Sequence, residues 1–127
     1  MAINTAVKPL RVAVIGASTN PNRYAHIAVN RLKDKGHLPI PIGLESGKIG
    51  DTNIHVGQPK LSEIHTITLY LRASKQKAIY DYILGLKPER IIFNPGAENT
   101  ELEKLARAHG ILPVRACTMV MLATGAF

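Results

Sequence analysis

The feature that most restricts this chain is a change of apolar period early in the sequence. Leu10-Arg11-Val12-Ala13-Val14-Ile15 is a short, β-branched run that stops at Gly16, as a buried strand does. Beyond a polar loop, Ala25, Ala28, Val29 and Leu32 fall at i, i+3, i+4 and i+7, so one helix face is apolar until Gly36. A strand, a turn and a helix in that order call for a sheet with helices packed on it.

The unit recurs along the chain. Leu38 to Ile42 reads as a second strand, and the missing donors of Pro39 and Pro41 leave one of its sides lightly paired. Leu44 to Ser62 carries Gly47, Gly50, Gly57 and Pro59 without a sustained period, which predicts a long loop with one short strand near Ile54. Thr66 to Leu71 is a third strand, and Ser74 is the expected N-cap of a helix with Ile79, Tyr82, Ile83 and Leu86 on its inner face. Arg90-Ile91-Ile92-Phe93 is a fourth strand, followed by the turn Asn94-Pro95-Gly96. Thr100 and Glu103 form a capping box for a helix whose inner face is Leu102, Leu105, Ala106 and His109 and which closes at Gly110. Ile111 to Val114 is a fifth strand, and Met119 to Leu122 is too short for its period to separate a terminal helix from a strand. The expectation is a three-layer Rossmann-like α/β fold: a five-stranded, mainly parallel sheet with helices on both faces, joined by right-handed crossovers. Residues 1–9 are an N-terminal extension and 10–127 a single domain, a division that suits a chain of 127 residues.

Composition narrows the function. Apolar residues are 46% and charged residues 20%, ordinary for a globular protein. No apolar run is long enough to span a bilayer, and Met1 to Lys8 lacks the charged-then-apolar order of a signal peptide, so a cytoplasmic location is expected, away from the membrane. The net charge of +7 favours anionic partners. The sixteen Lys and Arg residues are spread from Lys8 to Arg115, and there is no tryptophan, so neither a clustered patch nor a stacking platform supports nucleic-acid binding. An acidic, phosphorylated small molecule fits the charge better. The single cysteine, Cys117, has no disulfide partner and reads as a small packing residue. No pair among His26, His37, His55, His65 and His109 has metal-ligand spacing, and no metal is expected. His37 and His109 stand at helix C-termini, where the dipole accounts for them.

In open sheets of this kind ligands lie outside the carboxyl ends of the strands, where the strand order reverses. The loops there are Gly16 to Arg23, Gly43 to Gly50, Leu71 to Ser74 and Asn94 to Glu98. Gly16-Ala17-Ser18-Thr19-Asn20-Pro21-Asn22-Arg23 follows a buried strand and opens a helix, where free backbone N–H groups and the helix dipole both favour an anion. Gly16 permits the tight turn, Ser18 and Thr19 offer hydroxyl donors, Asn22 lies in the same loop, and Arg23 offers a charge-assisted contact. The alternative is that Ser18, Thr19 and Asn20 only cap the helix and Arg23 is solvated. Tyr24 and Tyr70 lie close enough to stack on or bond to a ligand, with core packing the equal alternative for Tyr70. The dinucleotide pattern is broken: Ser18 and Pro21 replace the later glycines, and the second strand ends in Ile42-Gly43 with Glu45 displaced. No P-loop sequence is present.

The segment V-A-V-I-G-A-S-T-N-P-N-R-Y, with the P-I-G of the second strand, L-Y-L-R after the third and I-I-F-N-P-G after the fourth, resembles the CoA-binding domain family. These are small stand-alone proteins similar to the N-terminal CoA-binding domain of the succinyl-CoA synthetase alpha subunit, and the likeness runs over residues 10 to 122 in order. It implies that Gly16, Ala17, Ser18 and Arg23 meet the pyrophosphate of coenzyme A. Gly43 and the following loop, with Lys48, meet the ribose 3′-phosphate. Leu71 and Arg72 flank the adenine, and Asn94-Pro95-Gly96 runs beside the pantetheine arm. The phosphorylated histidine that the synthetase uses belongs to a separate domain.

Three functions follow as expectations. The first is a module that binds coenzyme A or an acyl-CoA without catalysis of its own and presents it to an unidentified protein partner. The second is an enzyme with an NADP-type nucleotide cofactor and His26 or Cys117 as its reacting group, and the third is a vestigial interaction subunit with an empty crevice.

Overall fold

The computed structural model describes residues 8–127, so the N-terminal extension, apart from Lys8 and Pro9, lies outside the described residues. The first strand is β1 (Arg11–Ala17), followed by α1 (Tyr24–Asp34) and β2 (Leu38–Gly43). Two short strands come next, β3 (Gly47–Ile49) and β4 (Thr52–Val56), and then β5 (Thr66–Leu69). One helical turn, α2 (Ala73–Gln76), passes through a 3-10 turn at Lys77–Ile79 into α3 (Tyr80–Gly85). The chain finishes with β6 (Arg90–Phe93), α4 (Thr100–Ala108), β7 (Leu112–Arg115) and α5 (Thr118–Thr124).

The sheet has seven strands in the order β3-β4-β2-β1-β5-β6-β7, not five. All pairs are parallel except β3 with β4. The two additional strands come from the segment read as a loop. They form a hairpin across Gly50-Asp51, and each is too short for alternation to register. A two-residue Gly-Asp connection is itself a hairpin signal, and it was the cue available in the sequence. β2 pairs along its length with β1 but meets β4 only at Ile42↔His55 and Gly43↔Val56, the light pairing expected from Pro39 and Pro41.

Successive residues of β1 point to opposite faces and divide the core. Val12 and Val14 join Ala25, Val29 and Leu32 of α1, Ile49, Ile54 and Leu122 of α5 on one face. Ala13 and Ile15 join Ile67, Leu69, Ile83, Ile91, Phe93, Leu102 and Ala106 on the other, beneath α3 and α4. The result is the three-layer arrangement expected, with α1 and α5 opposite α2–α4.

Local expectations differ in three places, and the open choice at the C-terminus is settled as helix. The N-cap before α2 is Arg72, not Ser74, and no side chain caps it. α4 is capped by Asn99, whose Oδ1 accepts from Leu102 N while its own N–H donates to Glu103 Oε2, so Thr100 belongs to the first turn. His109 is exposed, its Nδ1 on the Leu105 carbonyl, and does not line the inner face. The terminal segment is helix α5, and its first turn is held by Thr118.

Candidate functional site

Strand order reverses between β1 and β5, since β1 is followed in the chain by a strand on one side and bordered on the other by β5. The site is therefore built from the loop after β1. Gly16, at φ +102, lies against the Tyr70 backbone, where an added Cβ would be 3.1 Å from the Tyr70 carbonyl carbon. Beside it, a Cβ on Gly43 would collide with the Ala17 carbonyl oxygen, so β2 can end against β1 only as glycine. The parallel register slips at this point, from Ile15↔Ile42 to Ala17↔Gly43.

The loop that follows is braced from within. Asn20 N donates to Ser18 Oγ at 3.0 Å, Asn22 N to Asn20 Oδ1 at 3.0 Å, and Arg23 N to Asn20 O at 3.1 Å. His26 Nδ1–H donates to the Ser18 carbonyl at 2.8 Å and ties the loop to the first turn of α1. Ser18 and Asn20 thus serve the loop itself, and the helix is left uncapped: Arg23 at the N-cap makes no side-chain hydrogen bond and the first turn holds no acid. The N–H groups of Tyr24, Ala25 and His26 precede the first intrahelical bond, from Ile27 N to Arg23 O. They carry the positive end of the helix dipole. Thr19, Asn22, Arg23 and Tyr24 are exposed around them, Tyr24 by 69%.

The connection from β2 to β3 closes over this loop. Gly47 is pressed on Thr19, whose Cγ2 would be 2.5 Å from an added Cβ, and Lys48 follows on β3 with its side chain exposed. Across the reversal, Leu71 packs half-buried on the larger core cluster, and Arg72 is exposed at the start of α2.

Asn94 is only 2% exposed, and its side chain is fully engaged. Its Nδ2 donates to Thr68 Oγ1 at 2.7 Å and to the Leu69 carbonyl at 2.8 Å, and its Oδ1 accepts from Thr118 N at 2.9 Å. It anchors the loop from below, while Pro95 and Gly96 are exposed above it and Gly96 N donates to Glu98 Oε1. Gln76, which the sequence reading passed over in the polar run Ser74-Lys75-Gln76-Lys77, is buried here and bonded to both the Leu71 and Ala97 carbonyls. Its place three residues before Ile79 and seven before Ile83 continues the inner helical face, the signal that separates it from Ser74, Lys75 and Lys77.

Tyr70, partly buried, packs against the core cluster on the α1 side. Burial pushes its phenol up to about 12, so it stays protonated. The nearby Thr68 and Thr118 hydroxyls bond each other at 2.8 Å, and Tyr70 Oη is left without a hydrogen-bond partner among the described residues. Cys117, half-buried, is the N-cap of α5. A shallow, open hollow of about 570 Å³ lies at the opposite end of the sheet, bordered by Arg11, Lys33, His37 and Asp51. Its cations are already engaged, Lys33 by Asp51 and Arg11 Nε by the Ser62 carbonyl. Among the described residues no three His, Cys, Asp or Glu side chains are grouped to hold a metal ion, and no helix is long and apolar enough to cross a membrane.

Comparison with known proteins places this geometry in context. The family model described as CoA binding domain matches residues 10–123. A crystal structure of an uncharacterized protein, 43% identical, superposes with a TM-score of 0.92 over 95% of this chain and 100% of that one. A Thermus thermophilus protein, cell-free ID.343, shares 21% identity with a TM-score of 0.81 over 94% of this chain and 91% of its own. The dinucleotide forming acetyl-coenzyme A synthetase 1 of Ca. Korarchaeum cryptofilum, solved with phosphate and ADP, shares 17% identity with a TM-score of 0.68. That match covers 85% of this chain and 26% of the synthetase. No curated protein matches the sequence.

Proposed function

This chain belongs to the CoA binding domain family, and from that premise we propose that it binds coenzyme A or an acyl-CoA at the carboxyl end of its sheet, without catalysing a reaction by itself. The observation that carries the reading is the uncapped first turn of α1 beside a loop that satisfies its own polar groups. Three outward N–H groups at the positive end of a helix, with the Thr19 hydroxyl and the Arg23 guanidinium exposed beside them, suit a diphosphate. Gly16 and Ala17 bring the backbone close, and Ser18, Asn22 and Tyr24 complete the cradle. Gly43 and Lys48 border the position of the ribose 3′-phosphate, Leu71 and Arg72 that of the adenine, and Pro95 and Gly96, carried by Asn94, that of the pantetheine arm. We read residues 10–127 as one domain, acting in the cytoplasm and presenting the thioester end to a protein partner.

Thermal unfolding with a ligand panel tests the reading. Coenzyme A should raise the melting temperature, because a ligand at a hundredfold excess over its Kd stabilises the folded state by about 2.7 kcal/mol. NAD, NADP, ATP and S-adenosylmethionine should leave it unchanged. A rise with NADP and none with coenzyme A overturns the proposal.

A further inference from the structure

Beyond Leu69↔Phe93 the ladder between β5 and β6 ends, and the two chains diverge into the loops at Leu71–Arg72 and Asn94–Ala97. Their carbonyls at Leu71 and Ala97 are both acceptors, and neither can satisfy the other. Gln76, 0% exposed on α2, supplies what the gap requires. Its amide nitrogen donates one hydrogen to the Leu71 carbonyl at 2.7 Å and the other to the Ala97 carbonyl at 2.8 Å. Its Oε1 accepts from Asn99 Nδ2 at 2.8 Å. Asn99 in turn donates to the Tyr80 hydroxyl, and its Oδ1 caps α4 at Leu102 N. A primary amide is the one side-chain group that offers two donors and an acceptor on a single plane. A carboxylate of the same shape would set negative oxygen against both carbonyls.

We propose that Gln76 is a positioning residue for the ligand: it fixes the separation of the two loops between which coenzyme A extends, one at the adenine and one at the pantetheine arm. The inference rests on the functional reading above. It concerns residues on one side of the site only, since the phosphate cradle at Ser18–Tyr24 is held by bonds of its own and shares none with Gln76. Replacing Gln76 therefore affects a ligand that spans both loops and spares one that reaches the cradle alone.

The test compares coenzyme A with inorganic pyrophosphate by titration calorimetry on the wild type and Gln76→Met. Coenzyme A should bind about tenfold more weakly to the variant, the scale of one buried polar bond lost, with pyrophosphate affinity unchanged. A ratio of the two affinities that stays at the wild-type value overturns the proposal, because a merely structural loss weakens both ligands together. Gln76→Asn, which keeps two donors and an acceptor on a shorter stem, serves if Gln76→Met does not unfold cooperatively. The wild type also decides: the Gln76 side-chain amide resonances should shift on adding coenzyme A and not on adding pyrophosphate, and the absence of that difference counts against the role. Failure of wild-type coenzyme A binding removes the functional reading itself, and this inference with it.

Discussion

Gly43 has no room for a methyl group, because the Ala17 carbonyl oxygen occupies the place where its Cβ would stand. Gly43→Ala must push β2 away from β1 at the mouth of the site, and a forced backbone shift of this kind costs about 1–3 kcal/mol. Urea denaturation should show that loss together with weaker coenzyme A binding, and a variant of wild-type stability would contradict the close approach. At the far end of β2, His37 makes a different prediction. It is 8% exposed, accepts a hydrogen bond from Leu10 N on Nδ1 and lies against the Phe127 ring. Burial, then the Arg90 and His65 charges, holds its pKa below the usual 6.5. In the window between the folded value and 6.5 the unfolded chain binds more protons, so stability rises with pH there. The His37 contribution is complete above that window and is lost as pH falls through it. Unfolding free energies measured on either side of pH 6.5 should reveal this slope, and His37→Gln should flatten it; an unchanged slope would assign it to another group. The sequence placed Gly16, Ser18 and Arg23 correctly between a strand and a helix, where β1 ends and α1 begins. It marked Gln76 only through its helical spacing from Ile79 and Ile83, and it concealed the role of Asn99, because an amide that caps a buried helix start has the same letter as one in water.

The hairpin β3–β4 is the element that composition hid. Gly43, Gly47, Gly50 and Gly57 crowd the segment and look like loop, yet Ile49 is 0% and Ile54 5% exposed, packed with Val29 and Leu32 of α1. Ile49→Ala should therefore cost about 2–5 kcal/mol, as for any isoleucine emptied from a core. A loss below about 1 kcal/mol in denaturant unfolding would mean that the hairpin is not part of the core. The helical stretch after β5 was legible in its Ile79, Tyr82, Ile83 and Leu86 spacing but not in its break at Lys77–Ile79. That break lets Gln76 turn inward while α3 presents Ile83 and Leu84 to the sheet. At α4 the capping box was expected one residue late, since threonine and asparagine are both good caps and only tertiary contact from Gln76 and Tyr80 selects Asn99.

For the whole molecule, alternation of strand and helix was enough to predict the mainly parallel sheet and its two helical layers. The edge hairpin enlarges the sheet on the β2 side without moving the reversal between β1 and β5. On the proposed reading, the first-turn amides of α1 hold the diphosphate of coenzyme A. A crystal structure of the protein grown with coenzyme A tests it most directly. Diphosphate oxygens should then lie within hydrogen-bond distance of the Tyr24, Ala25 or His26 N–H groups, with the pantetheine arm running past Pro95 and Gly96. Diphosphate bound anywhere else, for example in the hollow beside Arg11 and Lys33, would contradict it.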